Sequence, residues 1–185
     1  MWVEGRSVRQ GNEKQMSESP KAVVRPARRN DAGPLGAFFT QSWKEAGPGS
    51  LGFTGANESA IREIASEEFL TKRLSSPSTK IVIAEREGRI LGFASIRGVN
   101  QWEAELSGIV VLESESGRGF GTRLVRKACD AAVKLGCTRL TVKTEVVNAR
   151  AIGFYRKNGF VEVRRRTEKV GRTMVPVVVL VRRLR

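Results

Sequence analysis

The sequence predicts a mixed α/β fold (an α+β mixed sheet), in which one central sheet of six to seven strands has helices on both faces. Two observations support this prediction. Strand-like and helix-like hydrophobic patterns follow the order β-α-α-β-β-β-α-β-α-β-β, which is typical of a mixed sheet covered by helices. The chain has 185 residues, which is enough for one domain with a sizeable hydrophobic core.

Residues 1–21 differ in composition from the rest of the chain. They are polar, and we expect them to form a flexible extension ahead of a domain that spans residues 22–185. The first residues lack the apolar segment of a secretory signal, and no apolar run approaches the roughly 18 residues of a membrane span. We therefore expect a cytoplasmic protein without a membrane partner.

The predicted domain begins with a short strand and an amphipathic helix. Residues 23–25, which precede a proline, predict the strand. We expect Asn30 or Asp31 to cap the helix, which runs to about Lys44. The apolar positions that share one face of this helix are Leu35, Phe38, Phe39 and Trp43.

A glycine-rich loop and a second helix follow. Residues 47–55 contain several glycines and a proline, so they predict a mobile loop of the kind that often carries function. Residues 58–74 predict a single helix. Its expected core positions are Ile61, Ile64, Phe69 and Leu70.

The next segments predict a hairpin and a central strand. Residues 81–84 and 90–96 are strand-like and are joined through Glu87 and Gly88, a dipeptide suited to a tight turn. Residues 104–112 form a further apolar segment, which we expect to be the central strand.

The C-terminal half alternates helices and strands. A helix after the central strand has its apolar positions at Leu124, Val125, Ala128, Ala132 and Leu135. A strand over residues 140–144 leads to a helix that starts near Asn148, and residues 160–165 and 177–182 close the chain as strands. Pro176 cannot donate a ladder hydrogen bond, so we expect it at a strand start or a sheet edge.

The run S-G-R-G-F-G-T, residues 116–122, lies between the central strand and its helix. Three glycines in alternation allow the backbone to approach a ligand closely, so that several N–H groups can converge on a phosphate at the helix N-terminus. A dinucleotide fingerprint would need glycine in place of Thr122 or Leu124, and no G-K-[ST] triplet of a Walker loop follows. A plain strand-to-helix turn rich in glycine remains the alternative.

A second motif, N-A-R-A-I-G-F-Y-R-K-N-G-F, occupies residues 148–160. Together the two motifs resemble those of the GNAT superfamily of N-acetyltransferases. The acyl-CoA motif of that family, Gln/Arg-x-x-G-x-G/A, falls on residues 116–121, and its Asn, A-x-x-x-Y and G-F positions fall within residues 148–160. The resemblance extends over residues 23–185 in element order, but only residues 104–160 carry specific motifs.

The resemblance implies a GNAT-like domain that transfers an acetyl group from acetyl-CoA, a co-substrate, and needs no metal. The implied binding residues are Ile109, Val110 and Val111 through their backbone, the loop residues Gly117, Arg118, Gly119, Phe120, Gly121 and Thr122, and Asn148 and Ala151. Asn148 also suits a helix N-cap. Ser116 departs from the usual Gln or Arg, and Arg118 is a candidate for supplying the missing charge.

The resemblance also implies catalytic roles for Tyr155 and Glu105. Tyr155 matches the general acid of the family, and packing in the core is the alternative. Glu105 lies eleven positions before Ser116, as does the catalytic glutamate of histone-type members, and an exposed strand-end carboxylate is the alternative. Glu103 and Glu145 are reserve candidates for the base.

The composition excludes several kinds of chemistry. The chain has no histidine, so it has no Ser-His-Asp triad and no histidine base, and Cys129 and Cys137 alone cannot complete a tetrahedral zinc site. We expect both thiols to be buried and free. Acid-base work is therefore left to carboxylates, Tyr155, lysines or water.

The net charge of +14 is unevenly distributed. Residues 156–185 contain ten Lys or Arg and two acids, whereas residues 45–70 contain five glutamates and one arginine. The acidic segment corresponds to the acceptor side of the family, so it favours a cationic amine: a protein or peptide amine, a polyamine or an amino sugar. A solvated helix face is the alternative.

A different class of function also stays open. In this alternative, the chain is either a non-catalytic acetyl-CoA sensor or a module that binds nucleic acid through its basic C-terminal region. Nucleic-acid binding is disfavoured because the arginines at residues 164–166 have no interleaved aromatic residues to stack on bases. Association into a homodimer also stays open.

Overall fold

A computed structural model describes residues 22–46, 58–170 and 173–185, and within them it confirms the predicted α/β class. The expectations for residues 1–21 and 47–55 lie outside the described residues. The strands are β1 Val23–Pro26, β2 Thr79–Arg86, β3 Arg89–Gly98, β4 Glu103–Val111, β5 Arg139–Glu145, β6 Val161–Val170 and β7 Thr173–Arg183. The helices are α1 Ala32–Ala46, α2 Glu58–Ile64, α3 Glu67–Leu74, α4 Phe120–Lys134 and α5 Ala149–Lys157.

The seven strands form one mixed sheet in the order β1-β2-β3-β4-β5-β7-β6. The predicted turn between β2 and β3 is confirmed: Glu87 and Gly88 both have positive φ, 51° and 76°, as a tight two-residue hairpin requires. All neighbouring strands are antiparallel except β4 and β5, which run parallel and pair only over residues 103–105 and 139–141. Beyond these residues the two strands separate, and this separation positions the site.

Each face of the sheet has its own hydrophobic core. Helices α4 and α5 cover one face, where the fully buried side chains include Leu124, Val125, Leu140 and Leu180. Helices α1 and α3 cover the other face over β2 and β3, where Leu35, Phe38, Ile83 and Leu112 are buried. Cys129 and Cys137 are buried and free, as expected. No helix in the described ranges is both long enough and apolar enough to cross a bilayer.

The predicted single helix over residues 58–74 is wrong, because the chain breaks between α2 and α3. The hydroxyl of Ser66 accepts a hydrogen bond from the Phe69 N–H at 3.3 Å and so caps a new helix. Helix α1 passes close to this break: a Cβ added to Gly36 would lie 2.4 Å from the Ala65 carbonyl oxygen. The break is therefore tied to a contact between helices that are distant in sequence.

The predicted capping of the first helix is also wrong. A short 3-10 turn, Arg29–Asp31, precedes α1, and the Asp31 carboxylate accepts a hydrogen bond from the Arg28 N–H at 2.6 Å. Arg25 donates to the same carboxylate at 2.8 and 2.9 Å, and these bonds lower the pKa of Asp31. Asp31 therefore ties β1 to the turn instead of capping α1.

Pro176 lies inside β7, so of the two predicted places, a strand start or a sheet edge, the structure has the second. Its carbonyl accepts from the Val146 N–H at 3.0 Å, just beyond the last pair between β5 and β7, Glu145 with Val177. In an antiparallel strand the N and O of one residue face the same side. The missing N–H of Pro176 therefore points to the side where β5 has ended, which is a local edge of the kind expected.

We expect Gly36→Ala to lower the free energy of unfolding by about 1–3 kcal/mol, because the new methyl group must displace the Ala65 carbonyl. Urea unfolding measures this change. Gly33→Ala is the matched control on α1: nothing lies within 4 Å of its added Cβ, and alanine favours a helix by up to about 1 kcal/mol. Equal stability of the two variants would contradict the proposed close contact.

Candidate active site

A cavity of about 1040 Å³ opens where β4 and β5 separate. It reaches both faces of the sheet, because Phe154 and Tyr155 on the α4/α5 side and Phe39, Phe69 and Phe93 on the α1/α3 side all line it. We call this cavity the cleft. Two molecules can therefore meet in it from opposite faces.

The glycine-rich loop forms one wall of the cleft. Gly117 and Gly119 have φ of 75° and 80°, and a Cβ added to either would meet no atom within 4 Å. Within the described ranges, the six N–H groups of residues 117–122 donate to no hydrogen-bond acceptor, and no side chain caps α4. Six free amides at a helix N-terminus form a site for an anion such as a diphosphate.

Gly121 is needed for helix packing and not for loop conformation. A Cβ at this position would lie 3.0 Å from the Phe154 ring, so the absent side chain lets α5 pack closely against α4. The predicted loop residues Gly117, Gly119, Phe120, Gly121 and Thr122 all line the cleft.

Arg150, which the sequence analysis missed, lies beside Ser116. Its Nη2 donates to the Ser116 Oγ at 2.9 Å and forms an ion pair with Glu113 at 3.3 Å, and Arg150 lines the cleft. Arg118, the predicted replacement charge, does not line the cleft and instead pairs with Glu115 at 3.3 Å. The signal for Arg150 was its place inside the N-A-R-A motif, two residues after the Asn148 cap.

The backbone of β4 offers further free polar groups. The Leu112 N–H bonds to the Leu91 carbonyl on β3 at 2.9 Å, so strand alternation turns the polar groups of Ile109 and Val111 away from β3. They face the gap, because β5 pairs with β4 only as far as Glu105. Val110 faces β3. Of the three predicted backbone contacts, two are thus open to a ligand.

Asn148 and Ala151 lie together at the start of α5. The Asn148 side chain accepts from the Ala151 N–H at 3.0 Å, which confirms the predicted N-cap. Both residues line the cleft, so the cap also fixes the position of this part of its wall.

Tyr155 lines the cleft although only 7% of its surface is exposed. Its ring packs edge-to-face against Phe154 and Phe160, at centroid distances of 5.4 and 5.7 Å. Among the described residues its hydroxyl has no hydrogen-bond partner, and burial raises the pKa of Tyr155 to about 12. The phenol therefore stays protonated at neutral pH and is free to donate a proton into the cleft.

The structure does not bring Glu105 into the cleft. Glu105 lines an adjoining cavity of about 630 Å³ and forms ion pairs with Arg97 at 2.5 Å and Lys143 at 3.7 Å. Glu103 lines the same cavity, where a hydrogen bond from Thr141 at 2.6 Å lowers its pKa. Both carboxylates therefore already have hydrogen-bonding or ion-pair partners on the sheet.

Glu145, at the end of β5, is the remaining candidate base. Three glutamates line the cleft, and two of them are ion-paired: Glu113 with Arg150, and Glu115 with Arg86. Within the described part of the chain, the Glu145 carboxylate has neither an ion pair nor a hydrogen bond. Its position and its free carboxylate fit a proton acceptor better than those of Glu105.

Parts of the acidic segment line the cleft through Ile64, Phe69 and Leu70, but Glu45, Glu63, Glu67 and Glu68 do not, and residues 47–57 lie outside the described ranges. Glu45 caps the segment after β4 by accepting from the Glu113 N–H at 3.0 Å, and Glu63, Glu67 and Glu68 are exposed outside the cleft. Helix α3 instead contributes Arg73 to the cleft, with Phe69 and Leu70. This wall is apolar and cationic.

Comparisons with known proteins agree with this geometry. The acetyltransferase (GNAT) family model matches residues 50–160. An uncharacterized N-acetyltransferase of Mycobacterium tuberculosis is 29% identical over 160 residues, which cover 83% of this chain and 98% of that protein. The aminoglycoside N(6')-acetyltransferase type 1 of Klebsiella aerogenes is 26% identical over 156 residues, 80% of this chain and 93% of that one.

A similar fold occurs in the PaiA N-acetyltransferase of Thermoplasma acidophilum, whose crystal structure is a complex with coenzyme A. The TM-score is 0.67 at 20% identity, and the match covers 88% of this chain and 99% of that one. At this identity the likeness concerns the fold.

Proposed function

The chain belongs to the acetyltransferase (GNAT) family, and on that premise we propose that it transfers an acetyl group from acetyl-CoA to a primary amine by direct attack. The observation that carries the proposal is the row of six free amides, residues 117–122, in the same cleft as the Tyr155 hydroxyl. An anion site and a protonated phenol in one cavity suit a coenzyme that has a diphosphate at one end and a thioester at the other.

The residues present fit the coenzyme. Its diphosphate would accept hydrogen bonds from the loop amides, with the Arg150 guanidinium beside them in place of the usual Gln or Arg side chain. Its amide-containing arm would pair with the free backbone groups of Ile109 and Val111. The arm would thus take the place of the β5 backbone in the gap.

Bound acetyl-CoA supplies an activated acetyl group as a thioester. The ammonium form of the acceptor first loses a proton to a base. The neutral amine nitrogen then bonds to the carbonyl carbon, the C–S bond breaks, and the nitrogen loses a second proton, which balances the proton that Tyr155 gives to the thiolate. The N–H of Ile109 or Val111 would stabilise the developing oxyanion, and Tyr155 would protonate the thiolate. The two cysteines lie in the core, where burial raises their pKa, so neither suits a covalent intermediate.

We assign the base to Glu145, directly or through water. It is the unpaired carboxylate of the cleft within the described residues. The acceptor is a primary amine, and the candidate classes are protein or peptide amines, polyamines and amino sugars. The name of the Klebsiella relative, an aminoglycoside acetyltransferase, supports an amino sugar as one of them.

We expect Gly119→Glu to weaken acetyl-CoA binding by at least about 100-fold, because a carboxylate would enter the anion site. Titration calorimetry measures the dissociation constant. Gly136→Glu is the matched control, since Gly136 follows α4 with φ of 81° and also has nothing within 4 Å of an added Cβ. Equal affinity of both variants would contradict the assignment of the loop.

We expect Tyr155→Phe to lower kcat by about 100-fold, because the proton donor is lost while the ring contacts remain. The affinity for acetyl-CoA should change by less than about twofold. In the unmodified protein, a phenol with a pKa of about 12 stays protonated at pH 10, where a free phenol is half ionised, so Tyr155 should cause no loss of activity up to that pH. Full activity of the variant in a thiol-release assay would exclude the role.

We expect Glu145→Gln to lower kcat/KM by about 100-fold at neutral pH and to shift the acidic limb of the pH-rate profile upwards, because only the free amine then reacts. Glu105→Gln is the control and should keep the acidic limb, since Glu105 does not line the cleft and is already paired with Arg97 and Lys143. The assignment of the base to Glu145 is wrong if Glu145→Gln keeps the rate and the acidic limb while Glu105→Gln loses them.

A further inference from the structure

Arg73 has an unusual environment on the acceptor side of the cleft. It lies in the last turn of α3 and is half-buried, with its guanidinium carbon 5.8 Å from the centroid of the Phe69 ring. Its Nη2 donates to the Ser95 Oγ at 3.1 Å. A guanidinium has five N–H donors, so this contact leaves most of them unused.

No carboxylate among the described residues forms an ion pair with Arg73. The other cations of the cleft all have one: Arg97 pairs with Glu105, Arg150 with Glu113, and Lys143 with Glu105 and Glu168. Burial and the nearby Arg97 both lower the pKa of Arg73, because desolvation and the repulsion between two positive charges disfavour the charged guanidinium. A bound anionic ligand would offset both the desolvation and the repulsion.

Most of the described side chains that line this side of the cleft are apolar. Phe39 and Phe93 pack edge-to-face with their centroids 4.7 Å apart, and Leu35, Ile64 and Leu70 complete this wall. The hydroxyls of Ser95 and Ser107 lie 3.2 Å apart and add polar groups next to the guanidinium. The wall thus offers an anion site beside space for an apolar group.

The coenzyme diphosphate does not account for this site. The free amides lie on the α4 side of the sheet, whereas Arg73 and its aromatic neighbours belong to the α1/α3 side. The acceptor amine is the second ligand of the cleft, and it has the α1/α3 side available.

We propose that the acceptor is a small primary amine that also carries a carboxylate, as an apolar α-amino acid does, and that Arg73 binds this carboxylate. The inference rests on the proposed acetyl transfer and narrows its acceptor. The carboxylate pairs with the free N–H donors of Arg73, the side chain packs against the phenylalanines, and the amine is left to react. Polyamines and other purely cationic acceptors are disfavoured by the charge of Arg73.

The test compares acceptors that differ only in the carboxylate. Release of CoA thiol from acetyl-CoA is measured with leucine, methionine and phenylalanine, with their carboxamides, and with the corresponding amines that lack the carboxyl group. Spermidine and an aminoglycoside complete the panel. We expect kcat/KM for at least one free amino acid to exceed that of its amide by at least about tenfold, the size of one charged contact.

Variants of α3 assign the preference to Arg73. Arg73→Gln should remove the preference by lowering kcat/KM for the carboxylate acceptor at least about tenfold while leaving the amide unchanged, and Arg73→Lys should retain part of it. Lys72→Gln is the matched control, because Lys72 is the exposed neighbour on the same helix. Calorimetry should show that the amino acid binds CoA-saturated wild-type protein and not Arg73→Gln, with acetyl-CoA affinity the same in both.

The outcomes separate the two proposals. Equal rates for amino acids and amides, or a reaction with spermidine or the aminoglycoside alone, overturn the carboxylate site and leave acetyl transfer standing. Equal losses with every acceptor in Arg73→Gln, together with a lower unfolding temperature, show a structural role and also overturn it. No thiol release with any amine, despite acetyl-CoA binding, contradicts the proposed function and the inference with it.

Discussion

The short pairing of β4 with β5 is the constraint on which the site depends. The two strands share a ladder over only three residues each, Glu103–Glu105 and 139–141, and then separate. Buried side chains of both strands, among them Leu106 and Val142, hold each strand to the core of the α4/α5 face. The gap exposes backbone groups of Ile109 and Val111 that would otherwise be bonded, and a free buried backbone group is costly. A ligand with its own amides satisfies them.

The features that the sequence predicted well are set by local backbone chemistry. The Glu87-Gly88 turn, the Asn148 cap and the loop of residues 116–122 each depend on a few adjacent residues, and the structure has all three. The break at Ser66 and the role of Asp31 depend on partners far away in sequence or on another element, namely Gly36 and Arg25. The Ser66 cap, with Glu67 and Glu68 in the first turn after it, is a local signal that apolar spacing does not reveal, whereas the contacts made by Gly36 and Arg25 have no signal within the helices themselves.

The proposed catalytic carboxylate shows the same limit for side chains. Counting back from Ser116 selects Glu105, but the register of β3 and β4 shifts between Ser95 and Ile96, opposite Ser107. A bulge changes which residues share a face and which way each side chain points. Glu105 therefore lies beside Arg97, and Glu145, the carboxylate of the cleft that has no ion pair within the described residues, comes from the neighbouring strand. Its position follows from the sheet order, which spacing in the sequence does not specify.

Regional net charge is an incomplete guide to binding sites, because part of the charge is paired within the fold. In the basic C-terminal region Arg156 and Arg165 pair with Glu162, and Arg166 pairs with Glu168, so three of its ten cations have an acidic partner among the described residues. Exposed ion pairs of this kind contribute little to stability and do not indicate a binding partner. A polar group that the fold leaves only partly bonded is different, because the folded chain alone does not fully compensate its desolvation. Within the described residues, three such features face one cleft: the loop amides, which are exposed and free, the Tyr155 hydroxyl, and Arg73, which has one hydrogen bond and no ion pair. Their distribution, with a proposed anion site on each face and a proton donor beside the two separating strands, suits the proposed reaction between an anionic coenzyme and an amine that carries a carboxylate.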